Sequence, residues 1–209
     1  MNKLKNPLTI VANGDFPKHK IPLMILKNSN TIIACDGAAN TLIEHTYKPN
    51  IIIGDLDSIS SENKNKYSNM IIKEIDQSRN DLRKAIDYCL NNNIKKISIL
   101  GATGKREDHT IGNIFSILKY KDINIKIYTD TGIFSSVHKN KKIASFKGQQ
   151  VSVFVLDPSI KITSNNLTYN FNKNSISDIY KGTLNESKDN SFDISLSHGS
   201  LLIFQTYNK

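Results

Sequence analysis

The stretch IIIGDLDS, residues 51 to 58, is an apolar run that ends in two acidic side chains. Three successive isoleucines are typical of a strand buried on both faces, as in a parallel sheet. Asp55 and Asp57 follow at positions i and i+2, which places both carboxylates on one side of an extended backbone. Neighbouring carboxylates repel each other unless a cation lies between them, and such hard oxygen ligands suit Mg²⁺. The stretch predicts a buried strand with a magnesium site at its carboxyl end, and a turn with a capping aspartate is the alternative.

The same pattern recurs in the first 130 residues, where short apolar runs alternate with helical patterns. This alternation predicts an α/β domain with a mainly parallel sheet. Strands are expected at 8–12, 31–34, 51–53, 71–75, 97–100 and 123–128. The acids that follow strand ends are Asp15, Asp36, Asp55, Asp57, Asp76 and Asp130. Because ligands bind outside the carboxyl ends of such strands, these acids should line one edge, although any one of them could be only a turn residue or a helix cap.

Apolar residues at helical spacing predict two helices in this half. One set follows Asp81 and consists of Leu82, Ala85, Ile86, Cys89 and Leu90. The other follows Asp108 and consists of Ile111, Ile114, Phe115 and Leu118. Each helix should pack one apolar face on the sheet.

From about residue 142 the apolar pattern changes to that of an all-β half. Short strands are expected in GQQVSVFVL, IKIT, NLTYNF, SFDISL and SLLIFQ, which begin at residues 148, 160, 166, 191 and 200. Asn, Ser, Asp and Gly residues separate them, as in turns. The stretch TGIFSSVHKNKK, residues 131–142, is polar and has no clear core pattern, so the boundary is expected within residues 131–145.

The segment DQSRNDLRKA, residues 76 to 85, begins one of the predicted helices. Ser78 or Asn80 can cap the helix, and Asp81 lies in its first turn. Lys84 follows at i+3 on the same face, so a carboxylate for a metal and an ammonium group for a phosphate could point together at the strand ends. An ordinary helix ion pair is the alternative.

The segment GATGKREDHTIGN, residues 101 to 113, is a glycine-bearing loop that leads into a helix. Backbone amides at such a helix start attract phosphate. The spacing is neither that of a P-loop nor GxGxxG. Arg106 could contact phosphate and Asp108 could add an acid near the metal, and a plain structural turn is the alternative.

These segments, together with CDGAAN at residues 35 to 40, resemble the thiamine pyrophosphokinase family in order and spacing. The resemblance implies an α/β catalytic domain at 1–135 and a thiamine-binding β-sandwich at 140–209. It also implies transfer of a diphosphate from ATP to the hydroxyl of thiamine, with Mg²⁺ and a homodimer.

The resemblance assigns roles to individual residues. The metal ligands would be Asp55, Asp57, Asp81 and Asp108. The nucleotide would be held by Asp36, Gln77, Lys84, Arg106 and Asp108. Asp57, Asp81 and Arg106 would be catalytic, and either Asp57 or Asp81 would accept the hydroxyl proton.

The thiamine-binding residues implied by the resemblance lie in the second half. Asn185 is carried over from GTLNE, residues 182 to 186, where Leu184 stands in place of a serine found in the family. Phe204 is the candidate for stacking on thiamine and Tyr169 is a second candidate. A core role for Phe204 is the alternative, because aromatic residues in strands usually pack.

Composition excludes several other classes. The net charge of +9 comes from scattered lysines rather than one basic block, and its sign does not choose between a nucleotide and a nucleic acid as partner. No RNP-like aromatic motif is present, so we expect no nucleic-acid partner. No stretch approaches the roughly 18 apolar residues of a membrane span, and no signal peptide is expected. Cys35 and Cys89 belong to no CxxC or Cys/His spacing, so neither a zinc site nor a disulfide framework is expected. Because a chain without disulfides fits a reducing compartment, a cytoplasmic location is expected. The alternatives left open are a metal-dependent phosphohydrolase and a basic RNA- or nucleotide-binding protein.

Overall fold

The structure is a computed structural model that describes residues 4–207. The described chain divides into two compact units, the first formed by residues 4–116 and 122–130 and the second by residues 117–121 and 131–207. The outer ends of the predicted domains, residues 1 and 209, lie outside the described residues.

The first unit contains a parallel sheet with helices in the connections. Its strands are β1 (Leu8–Val11), β2 (Thr31–Cys35), β3 (Ile51–Gly54), β4 (Ile71–Lys73), β5 (Lys96–Leu100) and β6 (Asn124–Tyr128). Its helices are α1 (Lys20–Lys27), α2 (Ala38–Glu44), α3 (Ser61–Lys66), α4 (Asp81–Asn91) and α5 (Glu107–Ser116), with a 3-10 turn at Ser68–Met70. The strands lie in the order β6-β5-β1-β2-β3-β4, and every pairing is parallel. The predicted α/β fold is therefore confirmed.

The order of the strands reverses at β1, which lies between β2 and β5. The chain runs outward from β1 through β2, β3 and β4, and then returns to the other side of β1 to form β5 and β6. In open α/β sheets such a topological switch point opens a crevice at the carboxyl ends of the strands. The fold thus places a cleft beside the ends of β1 and β5.

The burial of apolar side chains explains why these sequences form strands β1 and β2 and helix α4. All residues of β1 and β2 are buried, as expected for apolar strands covered on both faces. In α4 the buried apolar residues are Leu82, Ala85, Ile86 and Cys89, which confirms the predicted apolar face. Asn80 caps this helix, because its Oδ1 accepts a hydrogen bond from the amide of Arg83 at 3.0 Å.

Two predictions for the first unit were wrong in detail. The strand expected at 71–75 ends at Lys73, and Ile75 is 72% exposed. In α5, Ile111 is 60% exposed and the buried residue is Asn113. The polar side chain turns inward because its amide group donates a hydrogen bond to the carbonyl of Ala102 at 3.0 Å.

The second unit is all-β, as predicted. Its strands are β7 (Gly132–Val137), β8 (Lys141–Ala144), β9 (Gln150–Phe154), β10 (Ile162–Asn165), β11 (Asn172–Asn174), β12 (Asn185–Glu186), β13 (Ser191–Leu196) and β14 (Leu201–Thr206). It also contains 3-10 turns at Ile117–Lys119 and Ile179–Gly182. The strands pair antiparallel in the orders β12-β9-β14-β7 and β11-β10-β13-β8. Buried residues of both sets, among them Val153, Ile162, Phe192 and Ile203, form one core, so the unit is a β-sandwich.

Strand positions in the second unit differ from three expectations. The stretch predicted as a polar boundary contains β7 and the start of β8, and β7 pairs with β14 over six residues. Residues 166–171 form a turn with one isolated bridge, because Asn166 has φ +64° and Oδ1 of Asn170 accepts from the amide of Leu167. The strand expected at 160–163 is displaced and is found at Ile162–Asn165.

Within residues 4–207, the structure contains no helix of the length and apolarity that crossing a bilayer requires.

Candidate functional site

A cleft of about 480 Å³ lies at the carboxyl ends of the strands of the first unit. Segments from the ends of β1, β3 and β5 line it, together with the first turn of α4. The lining includes carboxylates from Asp55, Asp57 and Asp81 and cationic groups from Lys84 and Arg106. The structure therefore brings most of the residues that the sequence singled out into one cleft.

Three carboxylates converge beside the end of β3. One oxygen from each of Asp36, Asp55 and Asp57 lies within 4.8 Å of the others, an arrangement that could hold a metal ion. Asp36 is only 2% exposed, and its carboxylate accepts hydrogen bonds from the backbone amides of Ser58 at 3.0 Å and Ile59 at 3.1 Å. Asp36 therefore braces the loop that carries the other two acids. The strand ends had predicted that Asp36 lies at the same edge as the other two acids, whereas the family resemblance had assigned it to the nucleotide and not to the metal.

The loop is not extended, contrary to the expectation from the i and i+2 spacing. Leu56, between the two acids, has φ +71° and is 8% exposed. Its carbonyl accepts a hydrogen bond from Nζ of Lys64 at 3.3 Å. A left-handed backbone costs a residue other than glycine about 1–2 kcal/mol, which burial of the leucine side chain in the core offsets. A tight left-handed turn, and not a flat strand, brings Asp55 and Asp57 together.

Electrostatics at this site favour a bound cation. Burial, together with the nearby carboxyls of Asp57 and Asp81, raises the pKa of Asp36 to about 6 despite the two amide donors. The amide of Gln77 donates to Asp55 at 2.9 Å and lowers the pKa of that carboxyl. Carboxylates crowded in this way repel each other until a cation neutralises them, and an all-oxygen ligand set fits Mg²⁺.

Helix α4 adds one acid and one base to the cleft. Nζ of Lys84 lies 2.9 Å from Oδ1 of Asp81, and the lysine side chain is 3% exposed. Gly54 allows the close approach of Asp36 and of this helix, because a Cβ there would lie 2.7 Å from Cβ of Asp36 and 3.3 Å from Oδ1 of Asp81 in α4. Asp81 thus lies beside the three-carboxylate group. Lys84 and Asp81 both line the cleft at the strand ends, and the ion pair that was the alternative interpretation is also present, inside the cleft and not on an exposed helix face.

The loop between β5 and α5 supplies further cations. Lys105 has φ +58°, and its Nζ donates to Oδ1 of Asn13 at 3.0 Å. Arg106 lines the cleft and pairs with Asp108 at 2.6 Å, with both side chains nearly two-thirds exposed. Hydrogen bonding to this guanidinium lowers the pKa of Asp108 to about 2. Asp108 does not belong to the three-carboxylate group among the described residues, so its role as a metal ligand stays a prediction.

Two of the strand-end acids have structural partners. Asp76 pairs with Arg79 at 2.8 Å, and Arg79 also reaches Asp87 at 2.7 Å. Oδ1 of Asp130 accepts hydrogen bonds from the amides of Lys18 and His19, both at 2.9 Å, just before α1.

Sequence reasoning missed several groups of the cleft, among them Arg79, His109 and the side chain of Asn113. All three stand inside the segments at residues 76–85 and 101–113. The only indication in the sequence that these residues line a site was therefore their position beside the predicted site residues.

The predicted thiamine-binding residues lie in the second unit. Asn185 is 4% exposed, and its carboxamide is bonded to the backbone of Tyr169, donating to its carbonyl at 2.7 Å and accepting from its amide at 3.0 Å. Tyr169 itself is 70% exposed. Phe204 packs against Phe134 with ring centroids 4.6 Å apart. Asn185 therefore holds the backbone at Tyr169 in place. Leu184, which stands beside it in the chain, has φ +62° and is 84% exposed.

Two family models match the chain in sequence. Residues 23–129 match the thiamin pyrophosphokinase catalytic domain, and residues 132–204 match the thiamin pyrophosphokinase substrate-binding domain.

Among curated relatives, thiamine pyrophosphokinase 1 of Oryza sativa subsp. japonica is 31% identical over 157 residues, which is 68% of this chain and 59% of that protein. Thiamine pyrophosphokinase of Bacillus subtilis (strain 168) is 32% identical over 126 residues, or 57% of this chain and 58% of that protein. The matched regions thus span somewhat less than three-fifths of the length of these two relatives.

Solved structures share the fold. The crystal structure of thiamin pyrophosphokinase from Geobacillus thermodenitrificans superimposes with a TM-score of 0.79 at 22% identity, covering 97% of this chain and 98% of that one. Yeast thiamin pyrophosphokinase gives a TM-score of 0.76 at 19% identity, covering 96% and 86%. At these identities the likeness concerns the arrangement of the chain alone.

Proposed function

The chain belongs to the thiamin pyrophosphokinase family, and from that premise we propose that it transfers the diphosphate of ATP to the hydroxyl of thiamine, giving thiamine diphosphate and AMP. The observation that carries the proposal is the cleft at the switch point, where three carboxylates lie beside a buried ammonium group. Phosphoryl chemistry depends mostly on positioning and charge neutralisation, and this cleft contains the groups for both.

In this proposal Asp55 and Asp57 hold Mg²⁺, with Asp36 bracing their loop and Asp81 beside them. When bound, the ion would neutralise charge on the phosphates and align them. The crowded carboxylates and the raised pKa of Asp36 support the presence of a cation here. Asp108 remains a predicted metal ligand, and its carboxylate would have to break the ion pair with Arg106 to reach the ion.

The cationic groups would bind the polyphosphate. Lys84 is preorganised, since its side chain is buried and its ammonium group is held in place by the bond to Asp81. Arg106 and Lys105 extend from an exposed loop and can close on phosphate oxygens. Asp57 is the better candidate to accept the hydroxyl proton, because it is exposed while Asp81 is paired with Lys84.

The remaining assignments are also proposals. The first unit, within residues 1–135, would bind nucleotide and metal, and the second, within residues 140–209, would bind thiamine. The exposed ring of Tyr169 supports it over Phe204 as the stacking residue. The homodimer, the cytoplasmic location and ATP as the preferred nucleotide follow from the family resemblance and from composition.

Incubation of the pure protein with ATP, Mg²⁺ and thiamine, with products identified by mass, tests the proposal. AMP and thiamine diphosphate in equal amounts are the expected products. Thiamine monophosphate with ADP would overturn the assigned reaction. Free phosphate with unchanged thiamine would favour a phosphohydrolase instead.

A further inference from the structure

Two asparagine side chains form a hydrogen-bonded relay across one wall of the cleft. Nδ2 of Asn80 donates to Oδ1 of Asn113 at 2.9 Å, and Nδ2 of Asn113 donates to the carbonyl of Ala102 at 3.0 Å. Asn80 precedes α4, Asn113 lies in α5 and Ala102 belongs to the loop after β5. The relay therefore joins three elements that line the cleft.

The relay has a single satisfied orientation. Oδ1 of Asn80 is occupied by the amide of Arg83, at 3.0 Å, so Nδ2 of Asn80 must face Asn113. Asn113 must then present its oxygen to Asn80 and its nitrogen to Ala102. Turning either carboxamide over would oppose two donors or two acceptors. Because Asn113 is only 9% exposed, water cannot readily repair such a mismatch.

Two of the three elements that the relay joins, helix α4 and the loop after β5, carry the cationic groups of the cleft. Helix α4 supplies Lys84, which is buried and held by Asp81. The loop supplies Lys105 and Arg106, and the arginine side chain is 66% exposed. One cation is thus rigidly placed, whereas the position of the others depends on how the loop is held.

Other bonds hold the loop from a different side. The amide of Gly14 donates to the carbonyl of Gly101 at 2.7 Å, and the amide of Asp15 donates to that of Thr103 at 2.8 Å. These bonds set the distance from the loop to the segment after β1. The relay sets its distance from α4.

We propose that Asn80 and Asn113 are positioning residues, which hold the loop at the distance from α4 at which Lys84 and Arg106 grip the same polyphosphate. This inference rests on the proposed function, since it takes a nucleoside triphosphate with Mg²⁺ as the ligand of the cleft. Neither asparagine needs to touch the phosphates. Their contribution is preorganisation, so that the loop does not have to be ordered when the ligand binds.

Substitution of Asn80 separates this role from capping of the helix. Asn80→Ser keeps a neutral capping oxygen but is too short to donate to Asn113, whereas Asn80→Ala loses both functions. Asn92→Ser serves as the matched control, since the Asn92 amide bonds the carbonyl of Tyr88 at the other end of α4. Asn113→Ala and the double variant Asn80→Ser with Asn113→Ala complete a mutant cycle.

The measurements are the Kd of ATP with Mg²⁺ by calorimetry, amide hydrogen exchange of residues 101–106, and the melting temperature. Asn80→Ser should weaken ATP binding about tenfold and speed exchange in the loop, and it should lower the melting temperature only slightly, through the bond lost at Oδ1 of Asn113. The double variant should bind no more weakly than Asn113→Ala, because both changes break the same relay. Asn92→Ser should bind ATP like the wild type.

Asn80→Ser with unchanged ATP affinity and unchanged exchange would overturn the inference, even if Asn113→Ala fails to fold. Additive losses in the double variant would overturn it too. Because binding and exchange are read without thiamine, they are independent of turnover. A wild type that binds ATP with Mg²⁺ but makes no thiamine diphosphate would overturn the proposed function alone, and one that does not bind ATP would overturn both.

Discussion

The ammonium nitrogen of Lys84 lies 2.9 Å from a carboxylate oxygen of Asp81, three residues earlier on α4, and this pair forms part of the cleft wall. A buried lysine is unfavourable unless its charge is matched. One carboxylate with 27% exposure is a modest match, which leaves the ammonium group available to a second anion.

Lys84→Met should therefore raise the KM for ATP by about tenfold to a hundredfold, since a charge-assisted hydrogen bond is worth about 1.5–3 kcal/mol. Methionine keeps the length of the side chain and removes the charge. The measurement is steady-state kinetics at varied ATP, with Lys95→Met, an exposed lysine, as control. If Lys84→Met lowers only the melting temperature and leaves KM unchanged, the pair is purely structural.

Asp57→Asn should reduce turnover by about 10²- to 10⁴-fold, the usual contribution of a general base, and any loss of metal binding would add to this. Asp57 is exposed and bonded to the hydroxyl of Ser58 at 2.8 Å, so the variant should fold normally. Turnover and melting temperature are measured together, with Asp122→Asn as an exposed control. Wild-type activity in Asp57→Asn would contradict both assigned roles.

The stability of the metal-free protein should depend on the ionisation of Asp36. Its pKa is raised to about 6 in the folded chain, mainly by burial, whereas an unfolded aspartate titrates near 3.9. Between these values the folded state binds more protons than the unfolded state, so this group makes the free energy of unfolding fall as pH rises from about 4 to about 6.

The test is urea unfolding across this range in the presence of a chelator, for the wild type and Asp36→Asn. The wild type should lose stability relative to the variant as the pH rises, because asparagine does not ionise. Two curves that stay parallel would show that Asp36 does not titrate in this window.

Leu56 offers a stability test of the left-handed turn. Leu56→Ala and Leu56→Gly should both lose about 2–5 kcal/mol through the missing side chain. Glycine should nevertheless be the more stable of the two by about 1 kcal/mol, because it adopts a φ of +71° without strain. At Leu82, a buried residue within α4, the order should reverse, with alanine about 1 kcal/mol more stable than glycine. The same order at both positions, measured by urea unfolding, would exclude strain at Leu56.

The gathering of acids at one edge was predictable because the strand ends of a parallel sheet coincide. The sequence did not predict which of these acids remain available for ligands, because it gives the position of a carboxylate in the chain but not the group to which that carboxylate is bonded. Asp76 is taken by Arg79 and Asp130 by two backbone amides, whereas Asp36 joins the group with Asp55 and Asp57.

Other features that the sequence did not predict involve residues in a conformation or an environment that is unusual for their residue type. Leu56 adopts a left-handed turn without being glycine, and Asn113 is buried in a helix whose Ile111 is exposed. Strand β7 has a half-buried, serine-containing surface, and backbone pairing with β14 defines it more than apolar side chains do. Local pattern cannot reveal such features, since each depends on a partner distant in sequence.

The bonds from Lys18 and His19 to Asp130 span more than 110 residues. On the ribosome, these two bonds therefore cannot form until residue 130 has left the exit tunnel, and β1 likewise waits for β5 to complete its second flank. The nascent chain must carry an unfinished sheet edge through most of the synthesis of this unit, which is the interval in which chaperone binding would matter most.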